Sequence, residues 1–183
     1  MSTISKNELL WTKNELIKAS KGEDLTTNFL NNKKVTGISI DSRSIEHNDL
    51  FIAIKGQNFD GHDFLEKAIK KGASGVIVSC KDSARKYNGL YVKDTNAALK
   101  NFAEFRRKKF KGKIIGITGS NGKTTTKDMA KIIFNEFGKT FATPGNNNNI
   151  IGLSLSLMKL PYNSQYCVLE LGMSKKNELK NYL

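Results

Sequence analysis

The chain has 183 residues, 38% hydrophobic and 26% charged. That is ordinary globular usage, with length for one large domain or two small ones and a core that needs no disulfide or metal. No apolar run reaches the ~18 residues of a membrane helix, the N-terminus lacks a secretory apolar core, and the net charge of +13 is spread along the chain on lysines. These features predict a cytoplasmic protein with a solvated basic surface, without membrane or nucleic-acid partners.

In chain order, Thr12 and Glu15 have capping-box spacing ahead of a short helix carrying Leu16, Ile17 and Ala19, with Gly22 placed as its terminating glycine. Residues 35–40 read as a strand that runs into the polar turn Asp41-Ser42-Arg43-Ser44. Residues 50–54 form a buried strand closed by Lys55-Gly56. A loop over 57–62 leads to a helix with Phe64, Leu65, Ala68 and Ile69 on one face, ended by Gly72. Strands follow at 75–78 and 90–92, and Thr95 is the expected cap of a helix bearing Ala98, Leu99, Phe102, Ala103 and Phe105. Strands alternating with helices indicate an α/β domain, taken as residues 1–111.

A second unit, residues 112–183, follows the basic connector at 108–113. Residues 114–118 read as a strand, and 123–137 as a helix with Met129, Ile132, Ile133 and Phe137 facing inward. A short strand at 140–142, an apolar helix at 150–160, a buried strand at 166–169 ending at Glu170, and a helix at 174–183 complete it. The unit offers too few strands for a nucleotide-binding sheet that stands alone, so a fragment of a longer protein is expected. Cys80 and Cys167 lie far apart and form no metal or disulfide pattern, as in a reducing compartment.

Thr118-Gly119-Ser120-Asn121-Gly122-Lys123-Thr124-Thr125-Thr126 lies between a predicted strand and a predicted helix, the setting of a phosphate-binding loop. Its glycines let successive N–H groups point at one phosphate, and the helix N-terminus adds positive charge. Lys123 would reach the transferred phosphate, and the Thr124 hydroxyl would bind Mg²⁺. The strict pattern is not met, because Ile117 stands where its first glycine belongs. Glu170 ends a buried strand, where such proteins keep an acidic Mg²⁺ ligand. Gly145-Asn146-Asn147-Asn148-Asn149 reads, by itself, as a polar loop. Asp41-Ser42-Arg43 and the 55–62 segment both lie at strand ends and could converge on one sheet edge to bind a diphosphate or nucleoside, although His62 and Asp63, by themselves, read rather as helix caps.

These segments, in this order, resemble the Mur ligases, the ATP-dependent amino-acid ligases of peptidoglycan synthesis, whose phosphate loop also lacks the first glycine. The stretch from Asp41 to Phe64, the Asn-Asn-x-Ile-Gly portion of residues 145–152 and the segment from Val168 to Ser174 are most similar to the branch that adds a dipeptide. The resemblance covers nearly the whole chain. It implies a small N-terminal α/β UDP-binding domain followed by the first part of a P-loop-type parallel-sheet ATPase domain, with a C-terminal domain absent. It implies ATP and Mg²⁺ as cofactors, UDP-N-acetylmuramoyl-tripeptide and D-alanyl-D-alanine as substrates, and a monomer that makes an amide bond through an acyl phosphate. Gly119, Ser120, Asn121, Gly122, Lys123, Thr124 and Thr125 would bind ATP, Thr124 and Glu170 the metal, and Lys123 and Glu170 would be catalytic. Ser42, Arg43, Lys55, Gly56, Gln57, Asn58, Asp60, His62, Asn146, Asn148 and Asn149 would bind the UDP-linked substrate. Ser174 and Lys175 stand where the family often has Asn-His. The implied alternatives are another step of the same pathway, such as third-residue addition, a different P-loop ATPase or kinase, or a non-catalytic substrate-binding fragment. The 183 residues alone are expected to be inactive.

Overall fold

The computed structural model describes residues 9–145 and 147–172 as a mixed α/β fold with two parallel sheets. Two compact units divide the chain, residues 1–102 and 103–183, and the division falls inside helix α4 (Thr95–Lys109).

In the first unit, α1 (Lys13–Ser20) opens on the expected capping box. Thr12 Oγ1 accepts the Glu15 N–H at 3.3 Å, and Glu15 Oε2 accepts the Thr12 N–H at 3.1 Å. The helix ends differently from expectation: Lys21, not Gly22, takes the left-handed conformation, with φ 55°. Gly22 is required for space instead, since an added Cβ would stand 2.8 Å from the Tyr91 carbonyl oxygen.

The sheet runs β1 (Gly37–Ser39), β2 (Asp49–Ile52), β3 (Gly75–Val78), β4 (Leu90–Tyr91), all parallel neighbours in that order. Strands β2 and β3 are buried along their whole length, as unbroken apolar runs in parallel sheets are. A 3₁₀ turn (Gly61–Phe64) feeds α2 (Leu65–Lys70), which buries Leu65 and Ala68. Phe64, expected on that buried face, is 42% exposed, because the 3₁₀ turn rotates it off the stripe. Helix α3 (Lys81–Lys86) was not foreseen: only Ala84 is buried, so no apolar period marks it. Asp94, not Thr95, caps α4, its Oδ1 accepting the N–H groups of Asn96 and Ala97 at 2.7 and 3.2 Å.

In the second unit, β5 (Lys113–Ile117), β7 (Tyr166–Glu170) and β6 (Thr140–Ala142) lie parallel in the order β5-β7-β6. Central β7 is buried from residue 167 to 170, and α6 (Ile150–Met158) is buried from 152 to 158. Helix α5 (Lys123–Asn135) overturns an expectation. Met129, Ile132 and Ile133 are 61%, 66% and 58% exposed, and Phe137 beyond the helix is 68% exposed. The less exposed stripe is Lys123, Lys127, Ala130 and Phe134, which has helical spacing. Phe134 stacks on Tyr166 of β7, ring centroids 5.0 Å apart, and Lys127 is fully buried. The most apolar stripe is therefore not the one on the sheet, because the Lys127 ammonium finds main-chain acceptors there. The helix expected over 174–183 lies outside the described residues.

Candidate active site

Strands β5 and β7 pair with Ile117 opposite Glu170. Being parallel, they bring the loop after β5 and the carboxylate that ends β7 to the same sheet edge, where open α/β sheets bind ligands. Residues 118–122 are exposed there. Gly122 precedes α5 with φ 72°, a left-handed conformation that glycine adopts without strain. Lys123 Nζ folds back over the loop and donates to the carbonyls of Gly119 at 2.8 Å and Ser120 at 3.4 Å. Ser120, Asn121 and Thr125 are exposed beside it.

Glu170 is 1% exposed, and both its oxygens are engaged. Thr124 Oγ1 donates to Oε2 at 2.9 Å, and Asn148 Nδ2 donates to Oε1 at 3.0 Å. The Glu170 N–H donates to Thr143 Oγ1 at 3.0 Å. Asn148 approaches this closely because residue 172 is glycine: an added Cβ there would stand 2.9 Å from the Asn148 amide carbon. Asn149 acts as the N-cap of α6, its Oδ1 accepting the Gly152 N–H at 2.8 Å. Asn146 and the Ser174-Lys175 departure lie outside the described residues.

A hydroxyl and a buried carboxylate within hydrogen-bond distance, at the start of the helix that follows the 118–122 loop, are hard oxygen donors that suit Mg²⁺. This cation takes one or two protein oxygens and completes its shell with phosphates and water. Among the described residues no group of three or more His, Cys, Asp or Glu side chains gathers as a metal cage. Thr124 Oγ1 and Glu170 Oε2 would supply two oxygens of such a shell and leave the rest to other ligands.

In the first unit, Ser42 and Arg43 line a cavity of about 450 Å³ together with Phe59, Phe64 and Lys67. Ser42 is 5% exposed. Asp41 binds the Arg43 guanidinium through both oxygens, at 2.8–3.1 Å, and this holds its carboxyl down at about 2. The Lys55–Asp60 bridge closes a turn in which the Gly56 N–H donates to the Phe59 carbonyl at 2.9 Å. Gln57 and Asn58 are exposed in that turn. Asp60 caps the 3₁₀ turn by accepting the His62 N–H at 2.9 Å, the bond that chiefly lowers its pKa. His62 is directed elsewhere: Nδ1 meets Asp60 Oδ1 at 2.6 Å, and Nε2 accepts the Ser79 N–H at 2.9 Å. These two bonds tie the turn to the end of β3. Phe64, Lys67, Thr143 and Lys127 were not foreseen as site residues, and Phe59 falls within the expected 55–62 segment without being singled out there. The signal for Phe59 was the spacing Lys55-Gly56-x-x-Phe59, in which a glycine leaves room for a ring.

Two family models match: "Mur ligase family, catalytic domain" over residues 34–107 and "Mur ligase middle domain" over 117–182. The UDP-N-acetylmuramoyl-tripeptide–D-alanyl-D-alanine ligase of Bacillus subtilis is 40% identical over 147 residues, covering 79% of this chain and 32% of that protein. Its Escherichia coli counterpart is 35% identical over 142 residues, covering 78% and 31%. A solved MurF of Acinetobacter baumannii superposes with a TM-score of 0.76 at 33% identity, over 94% of this chain and 38% of that one. The Thermotoga maritima MurF ligase, solved in complex with ADP, superposes at 0.60 and 31% identity, over 79% and 34%. The chain thus spans about a third of the length of the curated relatives it matches.

Proposed function

The chain belongs to the Mur ligase family, and from that premise we propose that it contributes the UDP-substrate domain and the opening part of the ATPase domain to a ligase joining D-alanyl-D-alanine to UDP-N-acetylmuramoyl-tripeptide. The observation that carries this reading is the contact of Thr124 with Glu170 beside the Lys123 loop, in a chain whose relatives bear that name.

The reaction is carboxylate activation. ATP phosphorylates the terminal carboxylate of the tripeptide, giving an acyl phosphate and ADP. The dipeptide amine then attacks the acyl carbon, forming the amide bond and releasing phosphate and a proton. Lys123 exchanges the Gly119 and Ser120 carbonyls for phosphate oxygens and stabilises the charge that develops on them. The N–H groups of the loop from Gly119 to Thr125 face the same phosphates. Thr124 and Glu170 hold the Mg²⁺, which when bound neutralises phosphate charge. No enzyme nucleophile takes part, so rate comes from positioning and electrostatics.

In the first unit, Ser42 and Arg43 serve the uridine-diphosphate end, with Phe59 and Phe64 as apolar walls and Lys67 as a cation at the rim. The turn made by Lys55, Gly56, Gln57, Asn58 and Asp60 presents Phe59 to that cavity, and His62 braces the turn. Asn148 and Asn149 serve the other end of the substrate through the order they impose around Glu170. The substrates and ATP place the work in the cytoplasm, by a monomer without membrane or nucleic acid. The adenine and dipeptide contacts belong to parts of the ligase outside these 183 residues.

Calorimetry on the 183-residue chain tests the reading. UDP-N-acetylmuramoyl-tripeptide is expected to bind more tightly than MgATP. Tight ATP binding with no UDP-ligand binding would instead point to a kinase or another ATPase.

A further inference from the structure

Lys127 stands one turn beyond Lys123 on α5, with its side chain 3% exposed. A buried ammonium is unfavourable unless its donors are met. Here Nζ donates to the carbonyls of Thr143 at 3.0 Å and Gly145 at 2.9 Å, and the Asp128 carboxylate lies 3.3 Å away. Two of these acceptors are main-chain atoms of the turn after β6. The lysine therefore fastens that turn to the helix that follows the phosphate loop.

The fastened turn leads directly to the carboxylate. Thr143 donates its N–H to the Val168 carbonyl at 2.9 Å and accepts the Glu170 N–H through Oγ1 at 3.0 Å. Gly145 turns the chain with φ 57°. Asn148 then donates to Glu170 Oε1 at 3.0 Å, while its own carbonyl accepts the Gly172 N–H at 2.8 Å. The oxygen opposite, Oε2, is the one that meets Thr124 on the same helix as Lys127.

We propose that Lys127 is a positioning residue for the metal–phosphate site: its ammonium fixes the turn at residues 143–145, and that turn sets Asn148 on Glu170. This rests on the reading of Glu170 as the metal carboxylate. An apolar side chain of similar volume would fill the space, but would leave two inward carbonyls without donors. The turn would then relax, Asn148 would leave Oε1, and the carboxylate would gain rotamers that do not face the loop.

The test uses the 183-residue chain and its variants Lys127→Met, Lys127→Arg, Asn148→Ala and the double variant Lys127→Met/Asn148→Ala. Two measurements are made: hydrogen exchange of the Asn148 side-chain amide by NMR without ligand, and retention of Mn²⁺ in the presence of ADP by electron paramagnetic resonance. Lys127→Met should speed the amide exchange and weaken Mn²⁺ retention about tenfold, the scale of outer-shell substitutions at metal sites. Lys127→Arg should recover most of both. The double variant should bind Mn²⁺ no more weakly than Asn148→Ala, because the lysine acts through the asparagine. An unchanged amide in Lys127→Met, or losses that add in the double variant, would overturn the proposal. If Lys127→Met loses NMR dispersion, Lys127→Gln is read instead: its shorter amide cannot reach both carbonyls, so the Asn148 amide should exchange faster than in wild type, and exchange at the wild-type rate would overturn the proposal. If the wild-type chain retains no Mn²⁺ with ADP, the same variants are measured in a protein that includes the rest of the ligase, and no retention there ends the metal-site reading, while the amide measurement still decides whether Lys127 sets Asn148.

Discussion

The Thr124 hydroxyl donates to Glu170 Oε2 across 2.9 Å, although 46 residues separate the two in sequence. Parallel pairing of β5 with β7 produces the contact, since Ile117 and Glu170 are register partners and the loop must leave from that end. Replacing Glu170 by Gln keeps the shape and one acceptor but removes the charge that a divalent cation needs. Glu170→Gln should weaken binding of Mg²⁺ with ADP by about tenfold or more, by analogy with altered metal ligation. Binding of ADP without metal should change little. Paired titrations with and without Mg²⁺ measure the difference, and equal losses in both would remove Glu170 from the metal.

Lys123→Ala, made in a protein that includes the rest of the ligase, should lower turnover by about 10²–10³-fold or more, the cost of deleting one preorganised donor at a developing charge. Affinity for the UDP-linked tripeptide should stay near wild type, because Lys123 is assigned to ATP and the uridine-diphosphate contacts to the other unit. Steady-state kinetics and substrate calorimetry read the two effects separately. Near-normal turnover would mean that the loop does not serve the transferred phosphate.

The strand-turn-helix around Lys123 and the carboxylate ending β7 were legible because each is a local pattern: an apolar run, then a change of chemistry. Helix α5 shows where that legibility stops. Its period locates an apolar stripe at Met129, Ile132 and Ile133, yet those residues are exposed, and the sheet side carries Lys127. Amphipathicity assigns lysines to water, and only the tertiary fold reveals the carbonyls of Thr143 and Gly145 that accept this one. Phe64 was hidden for a related reason: an aromatic residue on an apolar stripe gives no sign that a 3₁₀ turn rotates it outward. Helix α3 was hidden because a helix that buries only Ala84 has no stripe to read.

The two cysteines should differ sharply towards thiol reagents. Burial pushes the Cys167 thiol up to about 12. Cys80 is exposed and lowered, chiefly by the Ser83 N–H and hydroxyl at the start of α3. At pH 8 the folded chain should therefore react with a chromogenic disulfide at Cys80 alone, and Cys80→Ser should be inert until denaturant is added. Fast labelling of Cys167 in the folded chain would contradict its place in β7.

Acid should loosen the cavity edge late. The Arg43 guanidinium holds the Asp41 carboxyl at about 2, below its ordinary ~3.9. A lowered folded-state pKa adds stability above the unfolded value and loses it as pH falls through the folded one. The Asp41 contribution should be intact at pH 5 and fade between about pH 4 and pH 2. An NMR titration of the Asp41 carboxyl carbon should show a midpoint near 2, and Arg43→Ala should move it towards ~3.9. A wild-type midpoint already near 3.9 would mean that the pair is open in solution.

The Phe59 ring lies over Gly56, where an added Cβ would stand 2.7 Å from its edge. The ring is 54% exposed and forms one wall of the cavity shared with Ser42 and Arg43. Half-exposed aromatic walls are unfavourable in water and gain when a planar group covers them. If the uridine base is that group, Phe59→Ala should weaken UDP binding by about tenfold, the lower part of the ~1–3 kcal/mol range for a base on an aromatic ring. Gly56→Ala should give a similar loss without touching the ligand, because the methyl displaces the ring, and Phe59→Tyr should bind nearly as wild type. Fluorescence or calorimetric titration of UDP into the folded variants, with circular dichroism as the check on folding, measures all three. Unchanged affinity in Phe59→Ala would move the base off this wall, while a loss in Phe59→Ala without one in Gly56→Ala would show that the ring can shift and still stack.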